Sequence, residues 1–286
     1  MRLYLAAMNL EVLSTFFDLF HIKMNILLSY AYRNRGYWRF MIDHRDKIDG
    51  LILDSGAWTL NKKKLHKKMM KVPKDLIWYY QDVHQYFDSI FNYDSDFSVG
   101  GFENNYTNQL ELEKAGLSPV PVVHDYTGPE EIETYIKKGY RQVALGSFKG
   151  RTVDAILHAT NRLKSAGIEV HLFKSGSYKD LSRLTVDSAD ASSWAQHAMC
   201  GCIIIWNPHK SGENKTQIFR MNDYQKKLNK GPYFDDYREA LEPLIYKTTG
   251  ITYNDLMGLQ SNLYRQVLNC FYYAQIQDII NSKIST

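Results

Sequence analysis

Residues 120–146 read VPVVHDYTGPEEIETYIKKGYRQVALG and contain the unit that decides the fold. Two short apolar runs, residues 120–124 and 142–146, flank a segment with the marks of a helix. That segment begins at Pro129 with acidic residues and ends with lysines before Gly139, as the helix dipole and the C-cap preference require. A strand, a helix and a second strand in this order predict one β–α–β crossover of a parallel sheet.

The same alternation of short apolar runs and helix-like segments extends through most of the chain. The candidate strands cover residues 3–7, 26–29, 50–54, 89–93, 120–124, 142–146, 169–173, 185–189 and 202–206. A doubly wound open sheet and a (β/α)8 barrel both fit this rhythm. The sequence contains neither a dinucleotide-binding glycine fingerprint nor a phosphate-loop motif. We therefore predict an α/β protein with a (β/α)8 TIM-type barrel.

The C-terminal part of the chain has a different pattern. From Tyr233 onward, two helix-like segments, residues 235–247 and 253–282, replace the strands. Apolar side chains recur at helical spacing in the second segment. We predict a catalytic barrel over residues 1–232 and C-terminal helices over residues 233–286 that pack on it. The alternative use of the apolar stripe is a dimer surface.

The composition excludes several classes of protein. The chain has 286 residues, 44% of them hydrophobic, and a net charge of +4, which excludes a disordered chain. Its apolar runs are far shorter than a membrane span, and its first residues lack the pattern of a signal peptide. Three cysteines are too few for a disulfide framework. These features predict a cytoplasmic protein, in the host cytoplasm if a phage encodes it.

A lysine-rich stretch follows the third candidate strand. Side chains of this density can neutralise several phosphates of a nucleic acid. The alternative interpretation is a solvated helix face. The candidate nucleic-acid contacts are Lys62, Lys63, Lys64, Lys67 and Lys68.

Polar residues follow the apolar runs, where a parallel barrel forms its active site. The acidic ones are Asp54, Asp94, Asp187 and Asp190, and His124 ends a further run. Paired carboxylates at one mouth are typical of glycosyl chemistry, in which one attacks an anomeric carbon and the other moves a proton. The alternative for each aspartate alone is a cap or turn residue.

Five segments resemble, in the same order, segments of the tRNA-guanine transglycosylase superfamily. Residues 53–58 (LDSGAW) resemble the family's Asp-Ser-Gly-Gly-Phe segment, and residues 92–94 (NYD) resemble the strand end with its base-reading Asp. Residues 121–124 (PVVH) lie where the family has a strand ending in a base-contacting Gln. Residues 144–148 (ALGSF) are similar to the Gly-Gly-Leu whose backbone holds the base, and residues 186–190 (VDSAD) to an Asp-x-x-Asp that ends in the nucleophile.

This resemblance covers residues 50–194 and implies a barrel enzyme that exchanges guanine for a 7-deazaguanine base without a cofactor. It implies that Asp190 is the nucleophile and that Asp54 handles the proton, with Asp187 as the competing nucleophile. The substrate-binding residues that it implies are Asp94, His124, Gly146, Ser147, Ser55 and Asp187.

The sequence departs from the family at the metal site. The family has a Cys-x-Cys-x2-Cys zinc motif with a distant His, whereas no third cysteine follows Cys200 and Cys202 closely. We therefore expect no zinc subdomain and no metal. Such a compact chain resembles the phage and bacterial enzymes that insert 7-deazaguanines into DNA. The expected partners are DNA and a 7-deazaguanine base, without a membrane, and a homodimer or a partner enzyme is left open.

Three other functions stay open at this point. The first is a tRNA-guanine transglycosylase that acts on RNA. The second is a non-catalytic subunit that binds nucleic acid with the same barrel. The third is a retaining glycoside hydrolase, which the 21 tyrosines and 5 tryptophans of the chain favour as sugar-binding surfaces.

Overall fold

The computed structural model describes residues 1–35, 37–63, 71–98, 100–146, 151–222 and 231–284. The strands are β1 (Arg2–Ala6), β2 (Met24–Ser29), β3 (Ile48–Asp54), β4 (Ser89–Ile90), β5 (Val122–Val123), β6 (Gln142–Leu145), β7 (Glu169–Leu172), β8 (Ser188–Ala191), β9 (Cys202–Trp206) and β10 (Thr216–Arg220). The α-helices are α1 (Leu10–Phe20), α2 (Tyr37–Asp43), α3 (Ala57–Lys63), α4 (Lys74–Val83), α5 (Phe102–Lys114), α6 (Pro129–Lys138), α7 (Val153–Ser165), α8 (Tyr178–Leu181), α9 (Ser193–Met199), α10 (Arg238–Thr249), α11 (Tyr253–Met257) and α12 (Ser261–Ile284). Short 3-10 helices cover Tyr30–Arg35, Arg45–Lys47, His84–Tyr86 and Asp235–Tyr237.

The first eight strands form one parallel sheet that closes into a barrel. The strand order is β4-β3-β2-β1-β8-β7-β6-β5. The two edges meet in a parallel bridge between Phe91, after β4, and Val120, before β5. Asn92 N–H donates to the Val120 carbonyl (3.0 Å), and Val120 N–H donates to the Ile90 carbonyl (2.8 Å). The predicted (β/α)8 TIM-type barrel is confirmed.

Successive strand residues point alternately into the barrel and out to the helix layer. Outward residues such as Leu51, Val143 and Val170 join one continuous apolar cluster with the surrounding helices. The inward cluster consists of Tyr4, Leu27, Ile52, Phe91, Val120, Val122 and Ala144. Because side chains fill the interior, a substrate has access only to the ends of the barrel.

The chain adds a small unit between β8 and its last helix. Strands β9 and β10 pair antiparallel in a hairpin, and α12 then runs along β1 and α1. Leu3 N–H donates to Gln277 Oε1 (2.7 Å), and the amino group of Met1 donates to Asn281 Oδ1 (2.7 Å). Helix α12 thereby occupies the place of the eighth barrel helix. The C-terminal helices share the core of the barrel, and the boundary predicted after residue 232 adjoins residues 223–230, which are not described.

Three predicted elements need correction. Residues 202–206 form β9, which pairs with β10 outside the barrel. The eighth barrel strand begins at Ser188 rather than at residue 185, and Asp187, just before it, accepts from Val170 N–H of β7 (2.8 Å). The long helix predicted over residues 253–282 is split where Gly258, with an extended backbone, ends α11. Within the described ranges, no helix is long and apolar enough to cross a membrane.

Candidate active site

Asp54, Asp94 and Asp190 converge at the carboxyl end of the barrel. Asp54 is the last residue of β3, Asp94 follows β4, and Asp190 lies in β8. The charges of Asp94 and Asp190 both act on Asp54, although β2 and β1 separate β3 from β8 in the sheet. The curvature of the barrel therefore brings together three of the four carboxylates that the sequence singled out.

Asp54 holds a proton near neutral pH. Burial raises the pKa of Asp54 to about 7, and the negative charge of Asp94 adds to the rise. Its Oδ2 accepts from Gly56 N–H (3.0 Å) and from Ser29 Oγ (3.2 Å). Gly56 has a φ of +70°, and a Cβ there would lie 2.7 Å from the backbone nitrogen of Ala31. A carboxyl group that is half protonated at neutral pH can give a proton and take it back.

The turn that follows β7 donates hydrogen bonds to Asp190. Lys174 N–H donates to Asp190 Oδ1 (2.9 Å), and Ser175 N–H donates to its main-chain carbonyl (2.8 Å). Nε2 of the fully buried His171 lies 3.5 Å from the same Oδ1. These contacts fix the orientation of the Asp190 carboxylate. Within the described ranges Oδ2 accepts no hydrogen bond, so this oxygen is available to a substrate.

Asp94 and His124 form a largely buried pair. His124 Nε2 is hydrogen-bonded to Asp94 Oδ2 (3.0 Å). The His124 main-chain N–H donates to Glu131 Oε2 (2.6 Å), which ties the histidine to α6. Gly146 leaves room for the ring, because a Cβ there would lie 2.6 Å from His124 Cε1. The carboxylate and the imidazole are therefore fixed in one orientation at the mouth.

Aromatic rings and one lysine line the mouth of the barrel, in the segments that follow β7, β3, β4 and β5. The ring centres of Trp58 and Phe97 are 5.3 Å apart, and those of Phe97 and His124 are 5.2 Å apart, both edge-on. Lys174 Nζ lies 4.1 Å from the centre of the Trp58 ring, which is a cation–π contact. Trp58 is 49% exposed, so its ring is open to a ligand.

The turn that holds Asp190 is strained. Lys174 has a φ of +55°, a left-handed conformation that costs a residue with a Cβ about 1–2 kcal/mol. Arg151 Nη1 donates to the carbonyl of Phe173 (2.7 Å), the other end of the peptide whose N–H donates to Asp190. A cation at one end of this peptide strengthens the donor at its other end.

Sequence reasoning missed Lys174, Phe97, Arg151 and His171. The signal for Lys174 was present, because this residue follows the candidate strand over residues 169–173. A search that is limited to acidic residues at strand ends does not select a lysine. His171 and Arg151 carry no comparable signal, because their roles depend on a contact with the backbone or side chain of a neighbouring strand.

Asp187 is not at the mouth, which corrects its predicted roles as substrate ligand and competing nucleophile. It precedes β8 at the amino end of the barrel. There it accepts from Val170 N–H (2.8 Å) and pairs with Lys164 Nζ (2.6 Å). Three residues of extended chain separate it from Asp190 by about 10 Å along the strand. Asp187 is therefore a structural residue at the opposite end.

Ser55 and Gly146 lie at the carboxyl end, but their polar groups bind the protein itself. Ser55 is fully buried, and its Oγ accepts from Ala57 N–H (3.4 Å). Gly146 N–H donates to the Val123 carbonyl (2.8 Å), and its carbonyl accepts from the Tyr126 hydroxyl. Gly146 also leaves room for the ring of His124, and its predicted backbone contact with a base stays a prediction.

Several predicted contacts fall outside what the structure describes. Ser147, Lys64, Lys67 and Lys68 lie outside the described residues, and only the backbone is described for Lys62 and Lys63 at the end of α3. Helix α3 begins three residues after Asp54, at the mouth of the barrel, and ends at Lys63. The nucleic-acid contacts in this stretch stay predictions.

The cysteines form no disulfide. Cys202 and Cys270 are buried, and Cys200 is half-buried. Burial raises the pKa of the Cys270 thiol. In the part of the chain that the structure describes, no three His, Cys, Asp or Glu side chains form a group able to hold a metal ion.

Comparisons with known proteins find similarity at the level of structure. No family model matches the chain, and no curated protein matches it. The crystal structure of the YdjI aldolase from Escherichia coli K12 is similar to this chain with a TM-score of 0.47 and 12% sequence identity. The similarity covers 69% of this chain and 77% of the aldolase.

Proposed function

We propose that this protein is a base-exchange transglycosylase that replaces guanine in DNA with a 7-deazaguanine base. The observation that carries the proposal is the difference between two carboxylates at one mouth. Main-chain N–H groups fix Asp190, whereas Asp54 keeps a proton near neutral pH. A fixed carboxylate and a proton-exchanging carboxyl group are the two parts that a retaining glycosyl transfer needs.

We infer two displacement steps. Asp190 attacks C1′ of deoxyguanosine, the C1′–N9 bond breaks, and Asp54 gives its proton to the leaving guanine. The incoming 7-deazaguanine then gives its N9 proton to Asp54 and attacks C1′, and the bond between C1′ and Asp190 breaks. The proton returns to Asp54 and one glycosidic bond replaces another, so the reaction consumes neither water nor a cofactor.

The Asp94–His124 pair is the proposed reader of the base. A carboxylate accepts hydrogen bonds from both N1–H and the exocyclic amine of guanine, which present two donors side by side. The bond from His124 Nε2 (3.0 Å) holds Asp94 in place for that contact. The half-exposed Trp58 and the neighbouring Phe97 add apolar ring surface beside the pair.

DNA is proposed over tRNA because the sequence lacks the third closely spaced cysteine of the family's zinc motif. A duplex would have to release the target base from its stack into the mouth. Replacement of Lys62, Lys63, Lys64, Lys67 and Lys68 by glutamine is expected to weaken DNA binding and to flatten its salt dependence. An unchanged affinity and salt slope would remove this stretch from the interface.

A release and trapping assay tests the proposed function. Wild type, Asp190→Asn and Asp187→Asn are each mixed with DNA or tRNA that carries labelled guanine, and a 7-deazaguanine base is added. Free guanine and the covalent adduct that survives denaturation are measured. We expect wild type and Asp187→Asn to release guanine from DNA, and Asp190→Asn to release none and to form no adduct.

The other outcomes separate the remaining functions. Release from tRNA alone would keep the chemistry and replace the substrate by RNA. Binding of nucleic acid without release from either would reject base exchange in favour of a non-catalytic subunit. Cleavage of an oligosaccharide by the wild type, without release of guanine, would indicate a glycoside hydrolase.

A further inference from the structure

Lys174 has a left-handed main chain, for which glycine is the suited residue, and yet it carries a long cationic side chain. Its main chain must adopt the left-handed conformation, with φ +55°, so that consecutive N–H groups of Lys174 and Ser175 reach Asp190. Glycine meets this requirement without strain, and a lysine does not. A non-glycine residue in such a position points to a use for its side chain.

The side chain of Lys174 is exposed and contacts Trp58 at the mouth of the barrel. Its ammonium lies 4.1 Å from the centre of the Trp58 ring, and Trp58 is itself half-exposed. A cation–π contact holds the flexible lysine stem in one direction and engages one side of the ammonium. The three N–H donors of an ammonium exceed what one ring face uses, so donors remain for an anion.

An anion site at the mouth would offset the repulsion between the acidic mouth and a nucleic-acid strand. Asp54, Asp94 and Asp190 make the mouth acidic, and a strand of nucleic acid brings one negative charge with each phosphate. The negative charges of the carboxylates and of the phosphates repel one another. Arg151 donates to the carbonyl of the peptide whose N–H donates to Asp190. The Lys174 ammonium extends from the residue that supplies this N–H to the Trp58 ring.

We propose that the Lys174 ammonium binds a phosphate that flanks the target nucleotide. The residue whose main chain holds the attacking carboxylate then also holds the backbone of the nucleotide under attack, which fixes C1′ relative to Asp190. This inference rests on the proposed function, because it takes a nucleic-acid strand as the substrate. It adds a phosphate contact that does not depend on the lysine-rich stretch.

Neutral phosphate analogues test this contact directly. Duplexes with one guanine on the tested strand carry a single methylphosphonate on the 5′ or the 3′ side of that guanosine. Binding is measured in the Asp190→Asn background, which prevents turnover and keeps an oxygen that accepts from Lys174 N–H. Lys174→Gln and Lys174→Arg are compared with Lys138→Gln, a matched change of an exposed lysine in the last turn of α6.

We expect one of the two methylphosphonates to weaken binding about tenfold when Lys174 is present, as the loss of a charged hydrogen bond does. Lys174→Gln should weaken binding of the unmodified duplex by a similar factor, and the same methylphosphonate should then have no further effect. Lys174→Arg and Lys138→Gln should keep the sensitivity to the analogue. Independent, multiplicative effects of Lys174→Gln and each analogue would overturn the proposal.

Lys174→Gly separates the side chain from the strain of the turn. This variant should resist urea at least as well as the wild type, because glycine relieves the left-handed strain, and it should bind DNA as weakly as Lys174→Gln. Binding at the wild-type level would overturn the phosphate contact. Guanine release without coupling to the analogue rejects this contact alone, whereas coupling without guanine release keeps the contact and rejects base exchange.

Discussion

The two ends of the barrel carry the same residue type in opposite environments. Strands β3, β4 and β8 each have an aspartate near both ends. Asp49, Asp88 and Asp187 are at the amino end, and Asp54, Asp94 and Asp190 are at the carboxyl end. The two sets of aspartates therefore share the residue type and the strands, and they differ in the end of the barrel at which they lie.

At the amino end each aspartate has a local partner or faces solvent. Asp88 accepts from Leu51 N–H (2.7 Å) and pairs with Arg45 (2.8 Å), in the same way that Asp187 accepts from Val170 N–H. Asp49 is exposed. Asp88 and Asp187 therefore act as caps on neighbouring strands, and Asp49 is a surface charge.

At the carboxyl end the aspartates face one another across a partly buried mouth. The charges of Asp94 and Asp190 add to burial in raising the pKa of Asp54 to about 7. Neighbouring carboxylates that differ in their affinity for a proton can divide the roles of nucleophile and proton carrier. The difference between the ends teaches that burial together with the proximity of like charges, and not the residue type, marks the candidate site.

The largest expected effect is at β8. Asp190→Asn should lower guanine exchange by about 10⁴-fold or more, because it removes the attacking oxygen. Asp187→Asn, three residues away on the same strand, should keep wild-type turnover. Turnover and adduct formation are measured on both variants. If Asp187→Asn loses activity while it remains folded, the comparison is wrong about which end reacts.

The second effect is at β3. Asp54→Asn should lower turnover by about 10²- to 10⁴-fold, the range for loss of a general acid–base group. The wild-type rate should show an ionisation near pH 7, the pKa of Asp54, and the variant should lack it. Asp49→Asn is the matched control. A pH profile of Asp54→Asn that still bends near 7 would assign the ionisation to another group.

Asp54 also links stability to pH. Its pKa is about 7 in the folded protein and 3.8 for an ordinary aspartate, so the folded state binds the proton more tightly. Stability should therefore fall as pH rises from 4 to 7, by about 4 kcal/mol, and stay level above 7. Urea titrations of Asp54→Asn should lack this slope, and those of Asp49→Asn should retain it.

A smaller effect is expected after β4. Asp94→Asn presents an amide donor to the two donors of the guanine edge, and should weaken binding of a free 7-deazaguanine base about 10- to 100-fold. Asp88→Asn should leave that affinity unchanged. Isothermal titration with the base measures both variants. Equal affinities for the two variants would place base recognition elsewhere in the mouth.

The smallest effect concerns stability at the amino end. Asp187→Asn weakens the cap on Val170 N–H and the ion pair with Lys164, and should lower the free energy of unfolding by about 1–2 kcal/mol. Asp49→Asn should change it by less than about 0.5 kcal/mol, because that side chain is exposed. A larger loss at Asp49 than at Asp187 would contradict the description of this end.

Strand and helix segments were predictable because periodicity is a local property. The unit at residues 120–146 appears as β5, α6 and β6, with Pro129 at the start of the helix and Gly139 as its left-handed cap. The eighth strand begins three residues later than predicted, because residues 185–189 (TVDSA) mix polar and apolar side chains and do not mark the first paired residue. The strand begins where Ser188 pairs with Arg2 and His171 on the neighbouring strands.

The candidate site was predictable at Asp54, Asp94, His124 and Asp190, which follow apolar runs and lie at the mouth. The same rule also selected Asp187, because it does not say at which end of a strand a residue lies. The sequence also did not show that Gly146 leaves room for the ring of His124. These differences depend on which atoms meet across neighbouring strands.

The sequence by itself determined the class of fold and which carboxylates follow the strands, because alternating patterns and strand-end residues are local features of the chain. Only the tertiary structure decided which carboxylates face one another, that Asp54 keeps its proton, and that Lys174 and Arg151 share the peptide that holds Asp190. Closure of the barrel brings β3 and β8 together across its mouth although residues 55–187 separate them in the chain. Electrostatic interactions depend on distance in space, and so this part of the chemistry exists only in the folded protein.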